Sequence, residues 1–181
     1  MAERPSLVEV RAQRASRPVL RPAATDDIPA LVALGRAVVP PTYGPIDAAY
    51  AQRMIDEWWT PAVFTRSMQT NRHLVAEVHG EVVALSSFGR LSRSYREFPY
   101  VDGDREVMWK LYVHPDHHGR GIGSRLLAEV ETLVEGDELW LEVVDGNDQA
   151  FGFYRARGFT EVERSSDGQW PDDVWMRKVL R

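Results

Sequence analysis

One stretch limits the fold more than any other: Leu111-Tyr112-Val113-His114-Pro115-Asp116-His117-His118-Gly119-Arg120-Gly121-Ile122-Gly123-Ser124. The β-rich run Val107–Val113 feeds it. Glycines alternate at 119, 121 and 123, and Ile122, Leu126, Leu127, Val130, Leu133 and Val134 then recur at helical spacing. A chain that passes from strand through such a loop into an amphipathic helix belongs to the α/β class. Glycines let the backbone approach a ligand closely, and free N–H groups at a helix start attract phosphate oxygens. Arg120 adds a positive charge. A tight turn that binds nothing would look similar. The Gly-Lys-Ser/Thr ending of a Walker loop is missing, and the glycine spacing and late position differ from a dinucleotide fingerprint.

The remaining pattern places this unit in a mixed sheet. Val19-Leu20-Arg21 opens a first strand, and Thr25-Asp26-Asp27 starts a helix that Pro40-Pro41 should stop. Ile46 to Trp59 is helical, with Tyr50, Met54 and Trp58 four apart, and Pro61 begins a short helix. His73–Val78 and Glu81–Leu91 flank His79-Gly80 as a hairpin, and Ser92 to Arg105 is a loop. Gly136 should end the helix that begins near Ile122. Leu139–Val143 is a strand, Asn147–Arg157 a helix stopped by Gly158, and Phe159–Arg164 and Val174–Val179 the last strands. Hairpins beside a β-α-β unit predict mixed rather than fully parallel pairing.

Residues 1–17, with Arg4, Arg11, Arg14 and Arg17, read as a flexible N-terminal arm, with a targeting peptide as the alternative; 18–181 read as one domain. No apolar run approaches the roughly 20 residues of a membrane span, so no membrane partner is expected. The absence of cysteine excludes disulfides, thiolate metal sites and a cysteine nucleophile, and fits a cytoplasmic location. A net charge of −5 argues against nucleic acid and suits a cationic small substrate.

The loop reads His118-Gly119-Arg120-Gly121-Ile122-Gly123, and downstream stand Asn147, Ala150, Tyr154 and Gly158-Phe159. The first resembles the Arg/Gln-x-x-Gly-x-Gly/Ala motif of the GNAT superfamily of N-acetyltransferases, departing from it at His118. The second is similar to that family's N-x-x-A-x-x-x-Y-x-x-x-G-F pattern. The resemblance implies a GNAT-like single-domain fold: a mixed, curved sheet flanked by helices, its central strands Val107–Val113 and Leu139–Val143 splayed apart. It implies acetyl-CoA as co-substrate, with the pantetheine arm on the backbone of Leu111, Tyr112 and Val113. The pyrophosphate would rest on His118, Gly119, Arg120, Gly121, Ile122, Gly123 and Ser124, and Asn147 would hold the arm or cap its helix. Leu139–Val143 and Asp172–Met176 are similar to bacterial enzymes that acetylate polyamines or other small amines. A homodimer is expected at the family level only.

The implied reaction is direct attack, in a ternary complex, of an amine on the thioester carbonyl. The acceptor is a primary amine of a small molecule or a protein amine. Tyr154, with an ordinary pKa of about 10, is the candidate donor to the departing sulfur, with a plain packing role as the alternative. Glu106 and Glu142 are the candidate bases. Backbone N–H groups near Leu111 to Val113 would polarise the carbonyl. Tyr43, Trp58, Trp59, Tyr95, Phe98 and Tyr100 are candidates for the acceptor site, although Trp58 also fits ordinary packing. His114, His117 and His118 form a cluster, but no metal is expected. The competing readings are a non-catalytic acyl-CoA-binding module and a different nucleotide enzyme such as a dehydrogenase.

Overall fold

Two apolar runs within 72–90, buried on both faces, fold back on each other about His79 and Gly80, whose φ angles of 54° and 84° make the tight turn that right-twisted strands favour. The computed structural model describes residues 17–91, 105–166 and 168–181. Around the hairpin of β2 (Arg72–Val78) and β3 (Glu81–Arg90) grows a seven-stranded sheet of order β1-β2-β3-β4-β5-β7-β6. The other strands are β1 (Val19–Pro22), β4 (Glu106–Val113), β5 (Glu138–Val144), β6 (Thr160–Ser165) and β7 (Asp173–Val179). Every neighbouring pair is antiparallel except β4 and β5, as the mixed pattern predicts.

Helices cover both faces. On one lie α1 (Ile28–Tyr43), α2 (Ala48–Trp58) and α3 (Pro61–Ser67), whose Leu31, Val39, Tyr50, Met54 and Phe64 pack with Val75, Leu85 and Val144. On the other lie α4 (Ile122–Leu133) and α5 (Asp148–Arg155), whose Leu126, Leu127, Val130 and Phe151 pack with Leu139, Leu141 and Val143. Odd-numbered β5 residues from 139 to 143 thus serve one core, and Val144 the other, as strand alternation requires.

Two helix stops differ from expectation. α1 runs through Pro40 and Pro41 to Tyr43: prolines near a C-terminus remove only donors of the last turn, Thr42 returns its hydroxyl to Val38 O at 2.7 Å, and buried Tyr43 anchors the end. α4 ends at Leu133, before Gly136, because Val134 turns extended and buries its side chain. A single 3-10 turn, Thr25–Asp27, precedes α1, and the Asp27 carboxylate accepts from Ala24 N at 2.7 Å while gripping Arg21. The expected arm (1–16) and most of the expected Ser92–Arg105 loop, with Tyr95, Phe98 and Tyr100, lie outside the described residues. No helix among the described residues is long and apolar enough to cross a membrane.

Candidate active site

β4 and β5 start side by side and then part. They pair only at Glu106↔Leu139, Val107↔Trp140 and Met108↔Leu141. At that level β4 carries a bulge against β3, between the pairs Ser87↔Lys110 and Phe88↔Met108, with Trp109 as the extra residue. A bulge bends its strand and sharpens the twist, which turns the rest of β4 from β5. His114 N donates to Val83 O at 2.8 Å, so strand alternation aims the backbone groups of Leu111 and Val113 away from β3, into the opened gap. A cleft of about 820 Å³ occupies the gap.

The loop above the cleft needs its glycines. Gly119 and Gly121 have φ of 72° and 73°, and a Cβ on either would meet nothing within 4 Å. The requirement is therefore conformational on the protein's side, with open space on the other. Gly121 caps α4, and the N–H groups of Ile122, Gly123 and Ser124 have no intrahelical acceptor. These donors stand at the positive end of a twelve-residue helix and could hold an anion such as a diphosphate, a cradle in that sense. His118 folds back: its Nε2 donates to Val113 O at 2.8 Å, tying the loop to the end of β4. Arg157 lies across the far end, its guanidinium 3.6 Å from the centre of the Phe153 ring and donating to Ser124 Oγ.

Of the expected site residues, the cleft brings together Leu111, Tyr112, Val113, His118, Gly119, Gly121, Gly123, Ser124, Glu142, Asn147 and Tyr154. Ile122 buries its side chain in the core, leaving only its N–H to the loop, and Arg120 turns outward to His117. Asn147 caps α5, its side chain accepting from Ala150 N at 3.1 Å. Tyr154 is held between the rings of Phe153 and Phe159, and burial raises its pKa.

Glu142 and Glu106 have opposite surroundings. Glu142 faces the cleft, and its pKa rises to about 8 because it is buried and because Asp173 lies beside it and shares a hydrogen bond. Glu106 sits at the other end of β4, outside the cleft lining; Arg72 and the Glu135 N–H at 2.7 Å hold its carboxylate. That carboxylate fastens β4 to β2 and to the end of α4.

Tyr43 lines the cleft and shares a 2.7 Å hydrogen bond with the Tyr112 hydroxyl. Burial drives the Tyr43 pKa up to about 12 and that of Tyr112 well above the ordinary value. Trp59 is buried beneath the cleft, whereas Trp58 stays 36% exposed beside Arg53. His114 and His117 stand edge to face with ring centres 6.1 Å apart while His118 turns to Val113 O, and the described residues hold no group of three or more His, Asp or Glu placed to bind a metal.

Sequence reasoning missed Lys110, Asp173 and Arg157. Lys110 lines the cleft because the bulge puts it on the same face as Trp109, against Trp59. Nothing local to β4 announces a bulge. Asp173 reaches Glu142 through β5–β7 register, in which Glu142 pairs with Trp175 and Val144 with Asp173. Arg157, three residues after Tyr154, had a readable signal in its basic side chain at a helix end facing the loop.

A sheet opened beside a strand-loop-helix unit defines the class of protein: an α/β protein with a cleft between parted strands that ends on a helix N-terminus suited to an anionic ligand. The chain belongs to the Acetyltransferase (GNAT) family, whose profile matches residues 36–159, and is an acetyl-CoA-dependent N-acetyltransferase. It is 34% identical over 134 residues to the N-alpha-acetyltransferase RimI of Mycobacterium tuberculosis, covering 68% of this chain and 80% of the relative. It is 31% identical over 116 residues to the L-amino acid N-acyltransferase MnaT of Escherichia coli, covering 59% of this chain and 63% of that relative. Its fold matches the PaiA N-acetyltransferase of Thermoplasma acidophilum, solved in complex with coenzyme A. The TM-score is 0.73 at 21% identity, over 91% of this chain and 99% of that one.

Proposed function

We propose that this enzyme transfers an acetyl group to the primary amine of a small molecule by direct attack in a ternary complex, with Glu142 as base and Tyr154 as donor to sulfur. The observation that carries this reading is that one cleft, between the parted strands, is lined by both groups together with the anion cradle. Acetyl-CoA supplies an activated thioester carbonyl. The N–H groups of residues 122–124 would take its diphosphate, Arg157 would add a positive charge, and the open N–H of Leu111 and Val113 would hold the arm.

Glu142 removes the proton of the acceptor ammonium. A carboxylate with pKa near 8 is a far better base for an amine than an ordinary one, whose pKa is 4.5. The amine nitrogen forms the new C–N bond as the C–S bond breaks, and the second proton it sheds passes through the Tyr154 hydroxyl to the departing sulfur, giving the amide and free coenzyme A thiol. Tyr154 donates its hydroxyl hydrogen bond to the departing sulfur. Burial raises the Tyr154 pKa, so the phenol keeps its hydrogen at neutral pH and stands ready as a donor. Glu106, bound by Arg72, acts as a structural carboxylate.

The test is release of free coenzyme A thiol from acetyl-CoA with a panel of amines. Release with amine and none without it is the expected result. No release with any amine, with acetyl-CoA binding intact, would overturn the reading.

A further inference from the structure

The acceptor side of the cleft holds a cation that the reaction as described leaves unused. Lys110 lines the cleft on β4, where the bulge turns it and Trp109 to the face that also carries Tyr112. Its ammonium lies 5.4 Å from the centre of the Trp59 ring. Among the described residues no carboxylate pairs with it and no hydrogen bond reaches it. Cross-strand from it stands Ser87, whose hydroxyl is engaged with His73 Nε2 at 3.1 Å. The neutral imidazole of His73, its pKa lowered by burial, supplies no countercharge.

A half-buried cation in a cleft without a counterion is costly, and proteins normally pair it. Burial alone brings the Lys110 pKa down to about 8. Such a residue facing a substrate cleft is balanced most simply by an anion that arrives with the substrate. The bulge also fixes where that anion sits relative to the base. The last paired rung is Met108↔Leu141; Lys110 stands two residues beyond it on β4 and Glu142 one residue beyond it on β5. Leu139, Leu141 and Val143 pack in the core on the other face and Val144 in the α1–α2 core, so strand alternation turns the Glu142 carboxyl to the α1–α2 side with Lys110. One molecule in the gap can therefore meet both. The other Lys or Arg lining the cleft, Arg157, lies at the loop end beside Ser124. A single ammonium, without a guanidinium fork beside it, offers one unit of positive charge, the complement of one carboxylate.

We propose that Lys110 is the specificity-determining residue of the acceptor site and takes the carboxylate of a small amino-carboxylic acid, whose amine is presented to Glu142. This rests on the reading of the protein as an acetyltransferase of small amines with Glu142 as base. The acceptor is then a zwitterion, held by opposite charges on facing strands.

The experiment compares L-amino acids with their carboxamides, which keep the amine and the side chain but lose the anionic charge, as acceptors at fixed acetyl-CoA. It uses the full chain and the Lys110→Met and Lys110→Arg variants. The wild type is expected to favour the acid of the best pair by tenfold or more in kcat/KM, mostly through KM. Lys110→Met should bring the two within about twofold, chiefly by raising KM for the acid. Lys110→Arg should restore part of the preference. A thermal midpoint of Lys110→Met at or above that of the wild type would confirm that the variant folds and that an uncompensated charge has gone. Equal use of acid and carboxamide by the wild type, or discrimination surviving in Lys110→Met, overturns the proposal and leaves the acetyltransferase reading standing. An equal collapse of kcat on both acceptors in Lys110→Met makes Lys110 a base and also overturns it. Acetylation of no amine by any variant overturns both.

Discussion

Glu142 couples pH to stability in a direction opposite to most carboxylates. Its folded pKa of about 8 lies above its ordinary 4.5 because burial, and then Asp173, disfavour the charge. Between those two values the folded state therefore binds more protons than the unfolded chain, and stability falls as pH rises. For one group the slope approaches 1.4 kcal/mol per pH unit, so from about pH 6 to pH 8.5 the loss is about 2 kcal/mol. Glu142→Gln carries no titrating group and escapes this loss. The assay is urea unfolding of both proteins at the two pH values. The stability of the variant minus that of the wild type should grow by about 2 kcal/mol on going to the higher pH. Lys110, whose folded pKa is depressed to about 8, contributes the opposite trend at higher pH, but it is present in both proteins and cancels in the difference. A difference constant within about 0.5 kcal/mol would show that Glu142 is an ordinary ionised carboxylate, and its place as base would fall with that result.

Tyr154→Phe should lower kcat by at least tenfold while leaving acetyl-CoA affinity within a fewfold, checked by steady-state kinetics and calorimetry; equal turnover would remove Tyr154 from the chemistry. Gly121→Trp should abolish acetyl-CoA binding, because its side chain projects into the open space at the cradle and the positive φ adds about 1–2 kcal/mol of strain; unchanged affinity by calorimetry would refute the loop assignment. Glu106→Gln should lower the unfolding free energy by about 1–3 kcal/mol through loss of the Arg72 pair, discounted for the half-exposed guanidinium, with kcat/KM retained. A tenfold fall in kcat in that variant, with the fold intact, would return Glu106 to the active site.

The parts of the site legible in the sequence are those whose cause is local. Positive φ at Gly119 and Gly121, the cap by Asn147 and the apolar stripe of α4 each follow from residues a few positions apart, and each stands where the spacing puts it. The parting of β4 and β5 came only through the family resemblance, since the bulge at Trp109 arises from pairing with a strand some twenty residues away in sequence. The same bulge hid Lys110, and β5–β7 register hid Asp173 beside Glu142. Glu106 looked like a base because it precedes the central strand, but the cleft opens at the other end of that strand, and Arg72 comes from β2. Pro40-Pro41 misled because a proline rule for helix interiors was applied to a last turn whose end is held by a buried tyrosine.

The most direct test is a crystal structure of the protein grown with coenzyme A. The diphosphate should accept hydrogen bonds from the N–H groups of residues 122–124, with the pantetheine arm running between β4 and β5 and the sulfur beside the Tyr154 hydroxyl. Coenzyme A bound away from this loop, or a gap that closes to continue the β4–β5 ladder past Met108, would contradict the central claim.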